Sequence, residues 1–176
     1  MSQKYAFQID DFKHHLKNLK QKLYKIRGQR IPPGLDDKVI SGWNGLALSG
    51  LVQAYLATKD PKILHMAIRN GEFLISKMIV ENVLFRSYKN GKAYTPAFLE
   101  DYAAVIQAFI HLYQVSFDQK WLTEAKKLTD YTLLHFFDKE DGFFYFNNPN
   151  AEKLIANKKE LFDNVIPASN SMMARN

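Results

Sequence analysis

"AYLATKDPKILHMA", residues 54–67, returns 58 positions later as "LYQVSFDQKWLTEA", residues 112–125. Tyr55 falls on Tyr113, Asp60 on Asp118, Lys62 on Lys120, Leu64 on Leu122 and Ala67 on Ala125, and further along Phe85 falls on Phe143. The identities are few, but the order of features recurs with them: apolar helix, polar turn, second helix, aromatic extended piece. In the first turn Asp60 suits a helix N-cap and Pro61 the first helical position, where a missing N–H costs nothing. A helix pair repeated at this interval predicts stacked antiparallel hairpins.

Working outward, the first unit covers 41–95. Trp43, Leu46, Ala47, Leu51 and Ala54 mark one helix to about Thr58, and Ile63, Leu64, Ala67, Leu74 and Met78 mark a second. Residues 82–94, with "VLFRSY" and then "KNG", read as a short hairpin or extended loop. The second unit covers 99–150: a helix from Leu99 to about Val115, another from about Gln119 to Phe137, and the extended "DGFFYFNN". A third begins within 166–176, "IPASNSMMARN", where Ser169 or Asn170 would cap a helix. Upstream, "RGQRIPPG" stops a basic leading helix within 1–30.

The expected fold class is all-α: one partial domain over 1–176, a fragment of an (α/α) six-hairpin toroid with short β-hairpin or extended loops. Tetratricopeptide repeats, at about 34 residues, are too short to fit. A stack broken after two units exposes apolar surface, so a piece of a longer protein is expected, with self-association of the open faces as the alternative.

With 47% hydrophobic residues in 176, the chain can bury a real core. It has no cysteine, which excludes disulfides, thiolate metal sites and dithiol chemistry from this stretch. "MSQKYAFQIDDF" carries no apolar signal core and no window is apolar enough to span a bilayer, so the expectation is a cytoplasmic protein without a membrane partner. The net charge of +6 sits in residues 1–30, where eight Lys or Arg face Asp10 and Asp11. Phe12, Leu16, Leu19, Leu23 and Ile26 form a stripe opposite those lysines, which suits a helix docking on a protein body. Beyond Tyr24, no aromatics interleave with the lysines to stack bases, so no nucleic acid is expected.

In such a toroid the inner helices point their N-termini at one rim. The repeat puts "SGWN" (41–44), "LEDY" (99–102) and "SNS" (169–171) at equivalent entries. Acids, amides and rings gathered there are the materials of a sugar site, carboxylates moving protons and rings stacking on pyranose faces. The candidate catalytic residues are Asp36, Asp37, Glu100 and Asp101; the candidate substrate-binding residues are Trp43, Asn44, Tyr102, Asp163 and Asn170. Each has a plainer role beside it. Acids and amides at helix entries cap N–H groups and meet the helix dipole, Trp43 reads first as core and second as a stacking ring, and Asp36 and Asp37 suit a loop ion pair with Lys38 or an arginine. His14, His15, His65, His111 and His135 lack zinc spacing, "GWNGLALSG" lacks the P-loop lysine, and no GxSxG elbow occurs, so neither metal nor cofactor is expected.

"RIPPGLDDKVISGWNGLALSGL", "AFLEDYAAVIQAFIHLYQVSFD", "DGFFYF" and "IPASNSMMA" together resemble the YyaL-like, spermatogenesis-associated family of thioredoxin-domain proteins. The resemblance covers most of residues 20–176. It implies a thioredoxin-like domain followed by a six-hairpin toroid similar to those of glycosidases and N-acylglucosamine 2-epimerases, this chain being the middle of the toroid. The chain departs from the family at Ala168 of "IPASN", where Ser-Gly-Asn or a close variant is expected. Two functions follow as expectations: a sugar hydrolase or epimerase acting on a small saccharide, or a non-catalytic helical scaffold that binds a partner and couples to the thioredoxin-like domain. The partners implied are that saccharide, the rest of the toroid and the thioredoxin-like domain, and the isolated piece is not expected to turn over substrate.

Overall fold

The two repeated turns close with the same hydrogen bonds. In the computed structural model, which describes residues 8–148 and 156–176, helix α2 (Ser41–Thr58) meets α3 (Pro61–Phe73), and α4 (Leu99–Ser116) meets α5 (Lys120–His135). Residues 1–7 of the expected leading helix and 149–150 of the expected second unit lie outside the described residues. At the first corner the Thr58 hydroxyl donates to the Ala54 carbonyl, Lys59 turns left-handed (φ 57°), and Asp60 accepts the Lys62 N–H at 2.9 Å. At the second, Ser116, Phe117 (φ 54°) and Asp118 do the same toward Leu112 and Lys120. A left-handed residue ends each helix, and a carboxylate satisfies N–H groups at the start of the next.

The chain divides into two compact units, Met1–Asp36 and Asp37–Asn176. The first unit holds α1 (Ile9–Gly28), with Asp10 and Asp11 in its first turn and Lys25 and Arg27 in its last, as the helix dipole favours. None of its residues is buried.

The second unit is built around α4. Ten of its residues are buried, on all sides, because α2, α3, α5 and the short α6 (Ser169–Arg175) pack against it. Phe109 meets Trp121 of α5 with ring centroids 5.7 Å apart, and Tyr102 stacks on Tyr131 at 5.4 Å. The α3 helix runs into one π-helical turn, Leu74–Met78, whose Leu74 and Met78 reach the core. Strands β2 (Ile79–Val80), β3 (Val83–Lys89) and β4 (Lys92–Pro96) follow, and β3 also pairs antiparallel with β1 (Val39–Ile40). Asn90 and Gly91, at φ 52° and 80°, make the two-residue turn that right-twisted strands prefer. The second aromatic piece forms only a bridge, Phe137 to Phe144, rather than a second hairpin.

The face of α2 differs from the expected one. Ser41, Gly42, Gly45, Leu48 and Val52 are buried, while Trp43 is 68% exposed. An almost uniformly apolar helix has no preferred face, so apolar spacing cannot orient it. Small size does: a Cβ on Gly45 would lie 2.8 Å from the Ala104 carbonyl carbon and oxygen, and only glycine lets the backbones approach so closely.

Two changes test this packing by urea denaturation. Gly45→Ala is expected to destabilise by about 1–3 kcal/mol through overpacking. Gly50→Ala, on the same helix with no atom near the new methyl, is expected to stabilise by up to about 1 kcal/mol. The Tyr102 hydroxyl accepts the Leu84 N–H at 3.0 Å, so Tyr102→Phe, which strands a buried donor, is expected to cost about 1–3 kcal/mol in the same assay.

Candidate functional site

A cleft opens where the N-termini of α2, α4 and α6 converge. Gly42, Trp43, Arg86, Glu100, Asp101, Glu160 and Pro167 are among the residues lining it, around a cavity of about 90 Å³. Its floor is Asp101, 1% exposed as a side chain. One Asp101 oxygen, Oδ1, accepts the Gly42 N–H at 3.0 Å, at the start of α2. The other, Oδ2, accepts the Phe98 N–H at 3.1 Å, just before α4, and Arg86 Nη1 at 2.7 Å. One carboxylate thereby holds two helix entries and a strand.

The same Arg86 Nη1 donates to Glu100 Oε1 at 2.7 Å, and Glu100 is 44% exposed at the cleft. The Arg86 guanidinium lies 4.9 Å from the Phe98 ring centroid, which shields one face from water. Burial pulls the Arg86 guanidinium down, but Glu100 and Asp101 outweigh it and its pKa is raised. Burial likewise pushes the Asp101 carboxyl up, opposed by Arg86 and the Phe98 N–H.

Glu160 comes from the connection before α6. Lys159 anchors that connection, donating to Asp138 at 2.6 Å and Asp141 at 2.7 Å while Tyr145 donates to Asp138. Glu160 Oε2 then accepts the Ser169 N–H at 3.2 Å. Asp163 Oδ1 accepts the Ala168 N–H at 2.8 Å, and this bond first, with the Ser171 hydroxyl second, lowers its pKa. Carboxylates upstream, rather than the Ser169 or Asn170 side chains, therefore cap α6.

The expected site residues divide accordingly. Trp43, Glu100 and Asp101 come together at the cleft. Tyr102 does not: its ring is 1% exposed between α5 and β3, and burial holds its phenol well above the usual range. Asn170 is also turned inward, its amide exchanging two bonds with the Phe144 backbone at 2.7 and 2.9 Å and donating to the Glu160 carbonyl. That amide pairs the aromatic piece as a neighbouring strand would. Asn44 bends back onto the Ile40 carbonyl at 2.8 Å. Asp37 pairs with Lys89 on β3, at 2.5 Å, and that bond lowers its pKa. Asp36 belongs to the other compact unit. His111, half-buried on α4, does not line the cleft, and burial lowers its pKa.

Arg86 and Glu160 were not expected. Arg86 sits in the quoted "VLFRSY", where a lone basic residue amid apolar ones is the signal that a buried partner awaits it. Glu160 carries no such mark, because "KKELFD" reads as an ordinary polar loop.

No family model matches the chain. An uncharacterized protein of Caenorhabditis elegans is 30% identical over 177 residues, covering 96% of this chain and 24% of that protein. Human spermatogenesis-associated protein 20 is 29% identical over 167 residues, covering 89% of this chain and 21% of that protein. The chain thus spans about a quarter of the length of the curated relatives it matches. Among solved structures, a sugar epimerase from a ruminal bacterium superposes with a TM-score of 0.63 at 18% identity, over 79% of this chain and 37% of its own. A family 76 glycoside hydrolase (mannosidase) from Bacteroides thetaiotaomicron gives 0.59 at 23%, over 73% and 36%. At these identities the structures establish the fold, which is six-hairpin glycosidase-like. The sequence relatives, spermatogenesis-associated protein 20 among them, support the family resemblance of the sequence, and the chain carries part of a six-hairpin (α/α) toroid fold.

Proposed function

We propose that this chain supplies one wall of a saccharide cleft in a toroid enzyme of sugar hydrolase or epimerase type. The observation that carries the reading is Trp43: a large ring 68% exposed on an otherwise apolar helix, beside the Arg86, Glu100 and Glu160 side chains in one cleft. Exposing such a ring forgoes about 1.5–3 kcal/mol of burial, and stacking on a sugar face recovers it. The likeness to a sugar epimerase and a mannosidase supports the same reading.

Within the proposal Trp43 orients the ring, and Glu100 and Glu160 move protons. For hydrolysis one carboxyl protonates the leaving oxygen while the other takes a proton from water. For epimerisation one removes the proton beside a carbonyl and the other returns it on the opposite face. Arg86 fixes Glu100 in place. Asp101, with both oxygens committed to two helix entries and Arg86, is a positioning residue in this scheme. A cavity of about 90 Å³ falls below the roughly 300–1,000 Å³ of small-molecule sites. The remaining wall belongs to the longer protein, and turnover is expected there.

A thermal-shift screen of saccharides on the full-length protein tests the reading. At least one saccharide is expected to raise the melting temperature, and Trp43→Ala to abolish that shift. Solvent deuterium entering the product marks epimerisation, and a new reducing end marks hydrolysis. Glu100→Gln, at a half-exposed pair, is expected to cost under about 1 kcal/mol of stability while removing turnover. Asp101→Asn turns one acceptor oxygen into a donor facing N–H groups and is expected to cost about 3–5 kcal/mol. If no saccharide shifts the melt, the scaffold function replaces this one.

A further inference from the structure

The charges around the cleft do not balance. Among the described residues, Glu100, Asp101 and Glu160 line it against a single cation, Arg86. That cation donates to Glu100 and Asp101 at 2.7 Å each, so it is neutralised before any ligand arrives. Glu100 gives Oε1 to Arg86 and Glu160 gives Oε2 to the Ser169 N–H. Each has a second oxygen to turn toward a ligand. The exposed Trp43 ring adds to the same bias, because the face of an indole carries negative electrostatic potential and attracts cations. Apolar walls from Leu46, Ile166 and Met172 focus this field instead of screening it. The excess stays negative with any one of the three carboxyls protonated.

Resting on the saccharide reading above, we infer that the cleft selects sugars by charge, taking neutral or amine-bearing sugars and repelling uronic acids and sugar phosphates. An ammonium on the sugar meets the open oxygens of Glu100 and Glu160. A carboxylate at the same position meets like charge, with no unpaired arginine among the described lining residues to receive it.

The chain's two tryptophans provide the readout. Trp43 is exposed at the cleft, and Trp121, 1% exposed in the core, reports whether the fold is intact. The Trp43 indole N–H resonance, assigned by its loss in Trp43→Ala, is followed by NMR in the full-length protein while it is titrated, at low salt, with the amino sugar, the neutral sugar and the uronate of the gluco and manno series. Binding is expected to weaken in that order, the uronate about tenfold below the neutral sugar. The gap is expected to narrow with added salt and in Glu160→Gln. A uronate that binds as tightly as the neutral sugar, or more tightly, overturns the charge selection and leaves the saccharide reading standing. If none of the sugars moves the Trp43 resonance while Trp121 keeps its native shift, both fall together.

Discussion

One buried carboxylate organises this end of the protein. Asp101 sits at the third position of α4, where its Oδ2 turns back to the Phe98 N–H, and its Oδ1 reaches across to the Gly42 N–H of α2. A carboxylate in so dry a place needs a partner, and Arg86 of β3 supplies it. Two helices and a strand thus share one anion. Gly42 must lack a side chain for this to work, because a Cβ there would come within 2.6 Å of Asp101 Oδ1.

The arrangement constrains what lies around it. With Asp101 holding Gly42, the next residue, Trp43, projects into the cleft rather than into the α2–α4 contact, where Gly45 meets the Ala104 backbone. With Arg86 fixed, Glu100 is held at the cleft's edge. The connection before α6 brings Glu160 to the same cleft, with Lys159 beside it pinned between Asp138 and Asp141. Structure and prospective chemistry therefore share residues: the carboxylate that stabilises the helix entries also aims the groups that would touch a ligand.

A second regularity is the duplicated corner. Thr58, Lys59 and Asp60 recur as Ser116, Phe117 and Asp118 with the same hydrogen bonds. The bonds are local, made within four residues, so they follow the sequence whatever surrounds them. The aromatic pieces that come after the hairpins do not repeat so closely. The first forms a true hairpin through Asn90 and Gly91, whereas the second has a single bridge and borrows the Asn170 amide as its partner.

The sequence by itself determined the helical hairpins, their corner at Asp60 and its copy at Asp118, and the "KNG" turn, because periodicity, capping and turn chemistry act over a few residues. It also singled out Glu100, Asp101 and Trp43. Only the tertiary structure decided which way they face. On α2, apolar nearly all round, the choice fell to Gly42 and Gly45, and the exposed Trp43 could not be told from a core residue by spacing. Tyr102 and Asn170, polar groups at helix entries, were drawn inward by backbone groups at Leu84 and Phe144 that are distant in the chain. Arg86 and Glu160 joined the cleft for the same reason. Burial and long-range pairing depend on what the fold brings near, and no local pattern carries that information.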